Sequence, residues 1–370
     1  MTSPLIDVVT SSCLPPAEHW NALSGTDSFY LSHDWLRFAA RGTDARYLTV
    51  SAGGDLLGAL PLYPSADESN VDYRVDHVLG GRLAGLPALA GSRRGYVNDL
   101  LLHPALDPRR AGAALEAVAA AVRAEDAALL YLTTSAAAAL MRVDSGLRPL
   151  LLSADTSIPV PAGGFAAYLG GLGSRRAYTV RKELRIFHEA GYETAVVSLG
   201  DVWHEAGPLV ANVQQRYGHD ESAEECRRSL QAQAEALGRH SVVFTARRGG
   251  TLVALSLCYV WRDTLHARLV GFDYDALCGA REYFTLLFYE PLRWAAENGL
   301  RHLHLGRESY LAKLLRGARA RPLWAVAPMP VPDWRRHNSD TLAAWSHWAP
   351  RDLDIPPSWL AAMTGSESMP

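Results

Sequence analysis

Two halves built on one plan, each a mixed α/β sheet with flanking helices, form the fold class that this sequence predicts. Three observations lead there. The first is an internal echo: residues 47–63 read YLTVSAGGDLLGALPLY and residues 242–259 read VVFTARRGGTLVALSLCY. A single offset aligns Gly53-Gly54 with Gly249-Gly250, Leu56 with Leu252 and Tyr63 with Tyr259. The second is that each echo is followed by a β-prone run, a long helical stretch and another β-prone run. The third is composition: 370 residues, 48% hydrophobic and 20% charged, is ordinary globular usage with length for two or three domains. Collagen-like, coiled-coil, disordered and disulfide-scaffold classes are excluded.

Each element has a local reason. Gly-Gly between two β-prone runs predicts a hairpin, because glycine accepts the positive φ of a tight turn. In the first half a strand follows from Tyr96 to Leu102, then a loop from His103 to Pro108, a helix over about 109–125 and a strand over 128–133. In the second half the order is a strand over 265–271, a loop over 272–280, a helix over 281–298 stopped by Gly299, and a strand over 301–305. Strand, long helix, parallel strand is a βαβ unit, right-handed by default. The join falls near 142–165, where Ser153, Ser157, Pro159, Pro161, Gly163 and Gly164 interrupt the periodicity. The expected division is therefore 1–150, 151–330 and a tail over 331–370 carrying one short helix, 341–348, with residues 365–370 frayed.

Charge and cysteine usage narrow the class further. The net charge of −3 gives no global attraction to DNA or other nucleic acid, so any anion site must be a local patch. No apolar run reaches membrane-spanning length, the longest being residues 127–141, and the N-terminal residues lack a basic then apolar leader. Cys13, Cys226, Cys258 and Cys278 show no metal or redox spacing, and His302 and His304 lack acidic company. A cytoplasmic protein with no metal and no tightly bound cofactor is the expectation. Lysine occurs only at Lys182 and Lys313 in a chain otherwise served by arginine, either by chance survival or because a planar fork will not serve at those places.

The doubled order of elements resembles the GNAT acyltransferase fold in tandem. It is most similar to the Fem-type, peptidoglycan-biosynthesis-like branch, whose members pair two GNAT-like domains. The stretches FAAYLGGLGSRRAYTVRKELRIFHEAGYE, ARRGGTLVALSLCYVWRDTLHARLVGFDYD and NGLRHLHLGRESYLAKLLRGA carry the likeness in the second half. SFYLSHDWLRF and GYVNDLLLHP carry it in the first, so that coverage is roughly 28–325. The resemblance implies transfer of an acyl or aminoacyl group to an amine acceptor, with the donor held where two parallel strands splay. Aminoacyl-tRNA is narrowly favoured as donor, with acyl-CoA as the alternative and a non-catalytic binding module as a third reading. Cell-wall or specialised-metabolite biosynthesis is the implied setting.

Four groups of residues are candidates for that chemistry. Arg109, Arg110, Gly112 and Ala114 fit the Arg-x-x-Gly-x-Ala phosphate loop of CoA-binding members, at the start of a crossover helix where free N–H groups favour anions. The corresponding loop of the second half, from Tyr274 to Arg281, lacks that register. Arg175, Arg176, Tyr178, Arg181, Lys182 and Arg185 form a basic helix with one acid, Glu183, among them, and suit a tRNA acceptor stem or another phosphate-bearing donor. Asp273, Glu308, Tyr310 and Lys313 gather at the carboxyl ends of the second half's strands, where open α/β sheets place ligands. In the family reading Asp273 or Glu308 is the base, Tyr310 protonates the leaving group and Lys313 neutralises developing charge or holds a phosphate. Tyr283, Phe284, Phe288 and Tyr289 form an aromatic face for packing or an acceptor pocket, and Ser32, His33 and Asp34 make no triad, because neighbours in sequence do not converge in space.

Overall fold

The computed structural model describes residues 6–23, 29–79, 88–144, 146–328, 334–350 and 353–364. The chain divides into two units, residues 1–155 with 320–370, and residues 156–319. The first unit is therefore discontinuous in sequence.

In the first unit, β1 (Asp7–Ser11), α1 (Ala17–Ala22) and α2 (His33–Ala39) precede the hairpin of β2 (Arg46–Ala52) and β3 (Asp55–Pro64). Gly53 and Gly54 turn that hairpin at φ of +61° and +89°. After α3 (Val75–Val78) come β4 (Ala88–Ala90), β5 (Leu101–Leu102), α4 (Pro108–Ala124), β6 (Ala127–Thr133) and α5 (Thr134–Val143). Strand β7 (Arg148–Pro159) begins in this unit and ends in the second. The strands lie in the order β1-β2-β3-β4-β6, antiparallel except for the parallel β4–β6 pair. Strand β13 (Arg319–Ala327) pairs antiparallel with β6, and α13 (Trp334–Trp345) and α14 (Pro357–Thr364) follow it.

Residues 331–370, expected as a tail with one short helix, thus carry two helices within the first unit. The reason is visible at Asn338, fully buried on α13, which accepts from Leu151 N at 2.7 Å and donates to Pro149 O at 3.1 Å. A buried amide that satisfies two backbone groups of β7 fixes the helix in place, because either group left unpaired would cost about 1–3 kcal/mol. Residues 365–370, expected to fray, lie outside the described residues.

In the second unit, α6 (Gly164–Gly171) and α7 (Ser174–Glu189) lead to β8 (Glu193–Val197), the helical pair α8 (Leu199–Arg216) and α9 (Ala223–Leu237), and the hairpin β9 (Ser241–Arg248) and β10 (Thr251–Trp261). Gly249 and Gly250 turn the hairpin at +54° and +79°, as their counterparts do in the first unit. Strand β11 (Thr264–Phe272), the crossover made of α10 (Glu282–Phe284), a π-helical segment (Thr285–Tyr289) and α11 (Glu290–Glu297), then β12 (His302–Gly306) and α12 (Tyr310–Leu314) complete it. The order is β8-β9-β10-β11-β12, with β11 and β12 parallel and the last residues of β7 antiparallel to β12.

The second unit's core shows why α7 is a helix on this face. Ala177, Val180, Leu184 and Phe187 recur at three- and four-residue spacing, are all buried, and three of them join a cluster with Ala254, Cys258, Leu265, Ala267 and Leu303. Helix periodicity puts the arginines of the same segment on the other side. On the opposite face of the sheet α8 approaches β11 so closely at Gly271 that a Cβ there would meet Leu209 at 2.9 Å.

Candidate active site

The chemistry-bearing end of the second unit begins where β11 and β12 part. Their parallel ladder covers Thr264–His302, Leu265–Leu303 and His266–His304 and then stops, although β11 runs on to Phe272 and β12 to Gly306. Arg268 is the extra residue of a bulge, since Leu257 faces Leu269 while Cys258 faces Ala267. A bulge bends its strand and deepens the local twist, which turns β11 away from its neighbour. The wedge that opens lies between the last residues of β11 and the end of β12.

The first unit handles the same position differently. Its strand was expected over 96–102; instead the pairing with β3 is made by β4, opposite Leu62 to Pro64, and resumed by β5, opposite Gly58 and Ala59. Residues 91–100 loop out between the two pieces, so a one-residue bulge is replaced by an excursion. Asn98 of that excursion lies in the gap between β4 and β6: its Nδ2 donates to Ala90 O at 3.2 Å and Leu130 O at 3.3 Å, and its N to Tyr131 O at 2.8 Å. Thr133 N donates to Asn98 O at 3.1 Å. Gly91, at φ +86°, makes this possible, because a Cβ there would lie 2.1 Å from the Asn98 amide. The chain itself fills the first unit's wedge.

The proposed CoA loop of that unit is also occupied by its own residues. Asp107 caps α4 and accepts from Arg109 N at 2.9 Å and Arg110 N at 3.0 Å, while Pro108 has no N–H to offer. A carboxylate already takes the place an incoming phosphate would need, and it repels one. Arg110 leans to Asp55 at 3.5 Å, Gly112 has open space where a Cβ would go, and Ala114 is fully buried. This is a capped, packed helix start. The second unit's crossover starts differently: α10 follows Arg281 in the left-handed region with no side-chain cap, and buried Glu282, its first residue, accepts from Ala280 N at 2.9 Å and from Tyr192 OH at 2.6 Å.

The turn after β12 is shaped by Lys313. Its Nζ, on a residue only 3% exposed, donates to Leu305 O at 2.8 Å, Gly306 O at 3.1 Å and Arg307 O at 2.6 Å. Three carbonyls converging on one point suit a compact ammonium with radial donors and do not suit a planar fork, which accounts for a lysine in an arginine-rich chain. The turn it holds contains Gly306, Glu308 and Ser309 at φ of +67°, +65° and +50°. Non-glycine residues in that region are strained by roughly 1–3 kcal/mol each and persist where the surroundings over-determine them. Lys313 therefore supports the site from behind, in place of the expected contact with substrate charge. Glu308 and Ser309 are exposed and Tyr310 is half-buried. Asp273 accepts from Asp275 N at 3.2 Å and Ala276 N at 3.3 Å, the work of a loop cap.

Beside this turn lies a cleft of about 940 Å³, lined by the start of α7 (Gly173 to Arg176, with Thr179, Val180 and Glu183), by Phe284 and Tyr289, and by α12 with the residues after it (Leu311, Ala312, Leu315, Arg316). Arg175 and Arg176 are exposed at its mouth. Tyr178, Arg181, Lys182 and Arg185 are exposed as well but lie outside the lining, and Arg185 reaches Glu189 at 3.8 Å. The basic helix thus divides into two cleft arginines and a solvent-facing remainder.

The cleft floor joins Phe284 and Tyr289 of the aromatic face to Glu183 and to Arg316, which no motif singled out. Arg316 Nη2 donates to both oxygens of Glu183 at 3.1 and 3.0 Å, its Nε donates to Tyr289 OH at 2.8 Å, and Tyr289 OH donates to Glu183 Oε2. The guanidinium also lies 3.4 Å from the centre of the Phe284 ring, and Tyr168 OH donates to Arg316 O at 2.9 Å. Burial and the Glu183 carboxylate raise the Tyr289 phenol far above its usual range. Helices α6 and α7, the π-helical segment and α12 all meet at this one ion pair. The sequence held one signal for it: Glu183 is the lone acid among five bases and falls next to Leu184 on the buried stripe.

Among the described residues no group of three or more His, Cys, Asp or Glu could hold a metal, and no helix is long and apolar enough to cross a membrane.

Residues 174–314 match the family described as "Acetyltransferase (GNAT) domain". No protein of curated function matches the chain. Among solved structures it is similar to FemX (TM-score 0.58, 10% identity, 86% of this chain and 97% of that one). It is also similar to L-PGS from Bacillus licheniformis (0.53, 13%, 84% and 91%) and to a tandem GNAT protein from the clavulanic acid biosynthesis pathway (0.51, 13%, 88% and 99%). At these identities the likeness is one of fold.

Proposed function

We propose that this chain, which has the tandem GNAT fold and matches an acetyltransferase domain over residues 174–314, moves an aminoacyl group from aminoacyl-tRNA to an amine acceptor in the second unit's wedge. The observation that carries this is the contrast between the two wedges: open after His266 and His304, filled by Asn98 in the first unit. Among the described residues the second unit's wedge is the one of the two that its own chain does not fill.

The reaction needs little beyond positioning. The amine nitrogen attacks the donor carbonyl, a C–N bond forms, and the ester C–O bond breaks. Glu308, exposed on the strained turn, takes the proton that the amine loses. Tyr310 gives its proton to the departing ribose oxygen, and solvent restores both groups. Backbone N–H groups of the bulged strand polarise the carbonyl, as donors in a water-poor wedge do. Arg175 and Arg176 hold the phosphates of the acceptor stem at the cleft mouth.

A phosphate-bearing donor other than CoA is favoured because Asp107 already holds the amides at the start of α4, and the second unit's loop from Tyr274 to Arg281 lacks the phosphate-loop register. Acyl-CoA remains the second reading, supported by the Arg109 to Ala114 pattern in the sequence. Its test is transfer of a labelled group to a panel of amines, from aminoacyl-tRNA in one arm and acetyl-CoA in the other. Transfer from aminoacyl-tRNA that falls at least tenfold in Arg175→Ala with Arg176→Ala is expected. Transfer from acetyl-CoA alone would overturn the donor assignment.

A further inference from the structure

The mouth of the wedge has a second wall, away from the α7 cleft. Helix α8 packs on the face of β11 opposite α7, and Asn212 Nδ2 near its end donates to Phe272 O, the last carbonyl of β11, at 3.0 Å. This anchors the end of α8 to the point where β11 finishes. The next turn presents Arg216, whose guanidinium lies 4.5 Å above the Tyr274 ring, and Tyr217, 68% exposed. Tyr283 stands between the two strand ends: its ring centre is 6.3 Å from Phe272, and it shares a hydrogen bond with Ser309 on the turn after β12. Tyr217 is near enough to Tyr274 and Tyr283 for the phenols to interact electrostatically.

An exposed tyrosine alone is ordinary surface. Here three phenols and one guanidinium gather at the end of β11, and among the described residues no carboxylate pairs with Arg216. Stacking on Tyr274 and a hydrogen bond with its phenol hold the guanidinium, whose exposed side keeps further N–H groups for a ligand. A cationic body would be repelled by Arg216, whereas a carboxylate would be drawn to it and a flat ring would lie on the phenols.

We infer that this mouth is the acceptor subsite and takes an amine of amino-acid type, its carboxylate on Arg216 and an aromatic or otherwise flat body against Tyr217 and Tyr283. The inference rests on the transferase reading only for the word acceptor; the binding chemistry stands by itself. The acceptor nitrogen then enters the wedge from the α8 side while the donor's phosphates stay on the α7 side.

The test needs no donor. L-phenylalanine and L-phenylalaninamide, which differ only in the carboxylate, are titrated into the full chain and followed by ligand-observed NMR. Saturable binding of phenylalanine, at least tenfold tighter than its amide, is expected. Arg216→Gln should erase that preference, Tyr217→Ala should weaken both probes at least fivefold, and Tyr217→Phe should not. Both positions are exposed, and an unchanged melting temperature shows that the variants fold. Equal binding of acid and amide, a preference that survives Arg216→Gln, or no saturable binding of either probe would overturn the inference. Phenylalanine binding without transfer from any donor would instead count against the transferase reading.

Discussion

Lys313→Met should destabilise the protein by about 3 kcal/mol or more and reduce transfer beyond what the folded fraction accounts for. The ammonium serves three carbonyls in a site closed to water, and hydrogen bonds to a charged group contribute about 1.5–3 kcal/mol each, although not additively. Methionine fills the space and leaves Leu305, Gly306 and Arg307 without their shared donor. The left-handed residues Glu308 and Ser309 then have less to hold them, and the proposed base moves with the turn. Lys313→Arg should fare little better, because five donors in a plane cannot meet three carbonyls around one point. Urea midpoints for the two variants check this; an arginine variant within about 1 kcal/mol of the parent would contradict it.

Arg316→Met should cost a comparable 3–5 kcal/mol, the range for removing one partner of a buried ion pair. Glu183 would be left as a buried carboxylate with only Tyr289 OH for company. Replacing the whole set, Arg316→Met with Glu183→Leu and Tyr289→Phe, should recover most of the loss, since apolar groups of similar volume need no partners. A double-mutant cycle on Arg316 and Glu183 reads the coupling directly. Coupling below about 0.5 kcal/mol would show that the pair does not join α7 to α12 as described.

Much of this architecture is legible in the amino-acid order. Gly-Gly at 53–54 and 249–250 can serve few purposes between β-prone runs, and the long crossover helices follow from their apolar spacing. The residues of the wedge are less legible for a physical reason. Whether a strand bulges by one residue or by ten is decided by tertiary fit, and GYVND reads as strand because nothing local says that Asn98 will pair with two different neighbours. The same holds for Arg316, an unremarked arginine until α7 brings Glu183 beneath it. Lys313 is the intermediate case: its rarity was readable, its task was not, because three converging carbonyls exist only once β12 turns into α12.

Helix starts show the opposite lesson. Arg109 to Ala114 satisfies a phosphate-loop pattern, yet Asp107, two residues upstream, is the stronger local signal: an N-cap carboxylate that takes the amides a phosphate would use.

The most direct test of the account compares two variants in one assay of transfer from aminoacyl-tRNA to an accepted amine. Glu308→Gln removes the proposed base on an exposed turn of the second unit, and Arg109→Ala with Arg110→Ala removes the basic start of α4 in the first. The account predicts a loss of about 10²–10⁴-fold for Glu308→Gln, with an unchanged melting temperature, and a parental rate for the arginine pair. Parental activity in Glu308→Gln together with loss in the arginine pair would place the chemistry in the first unit and contradict it.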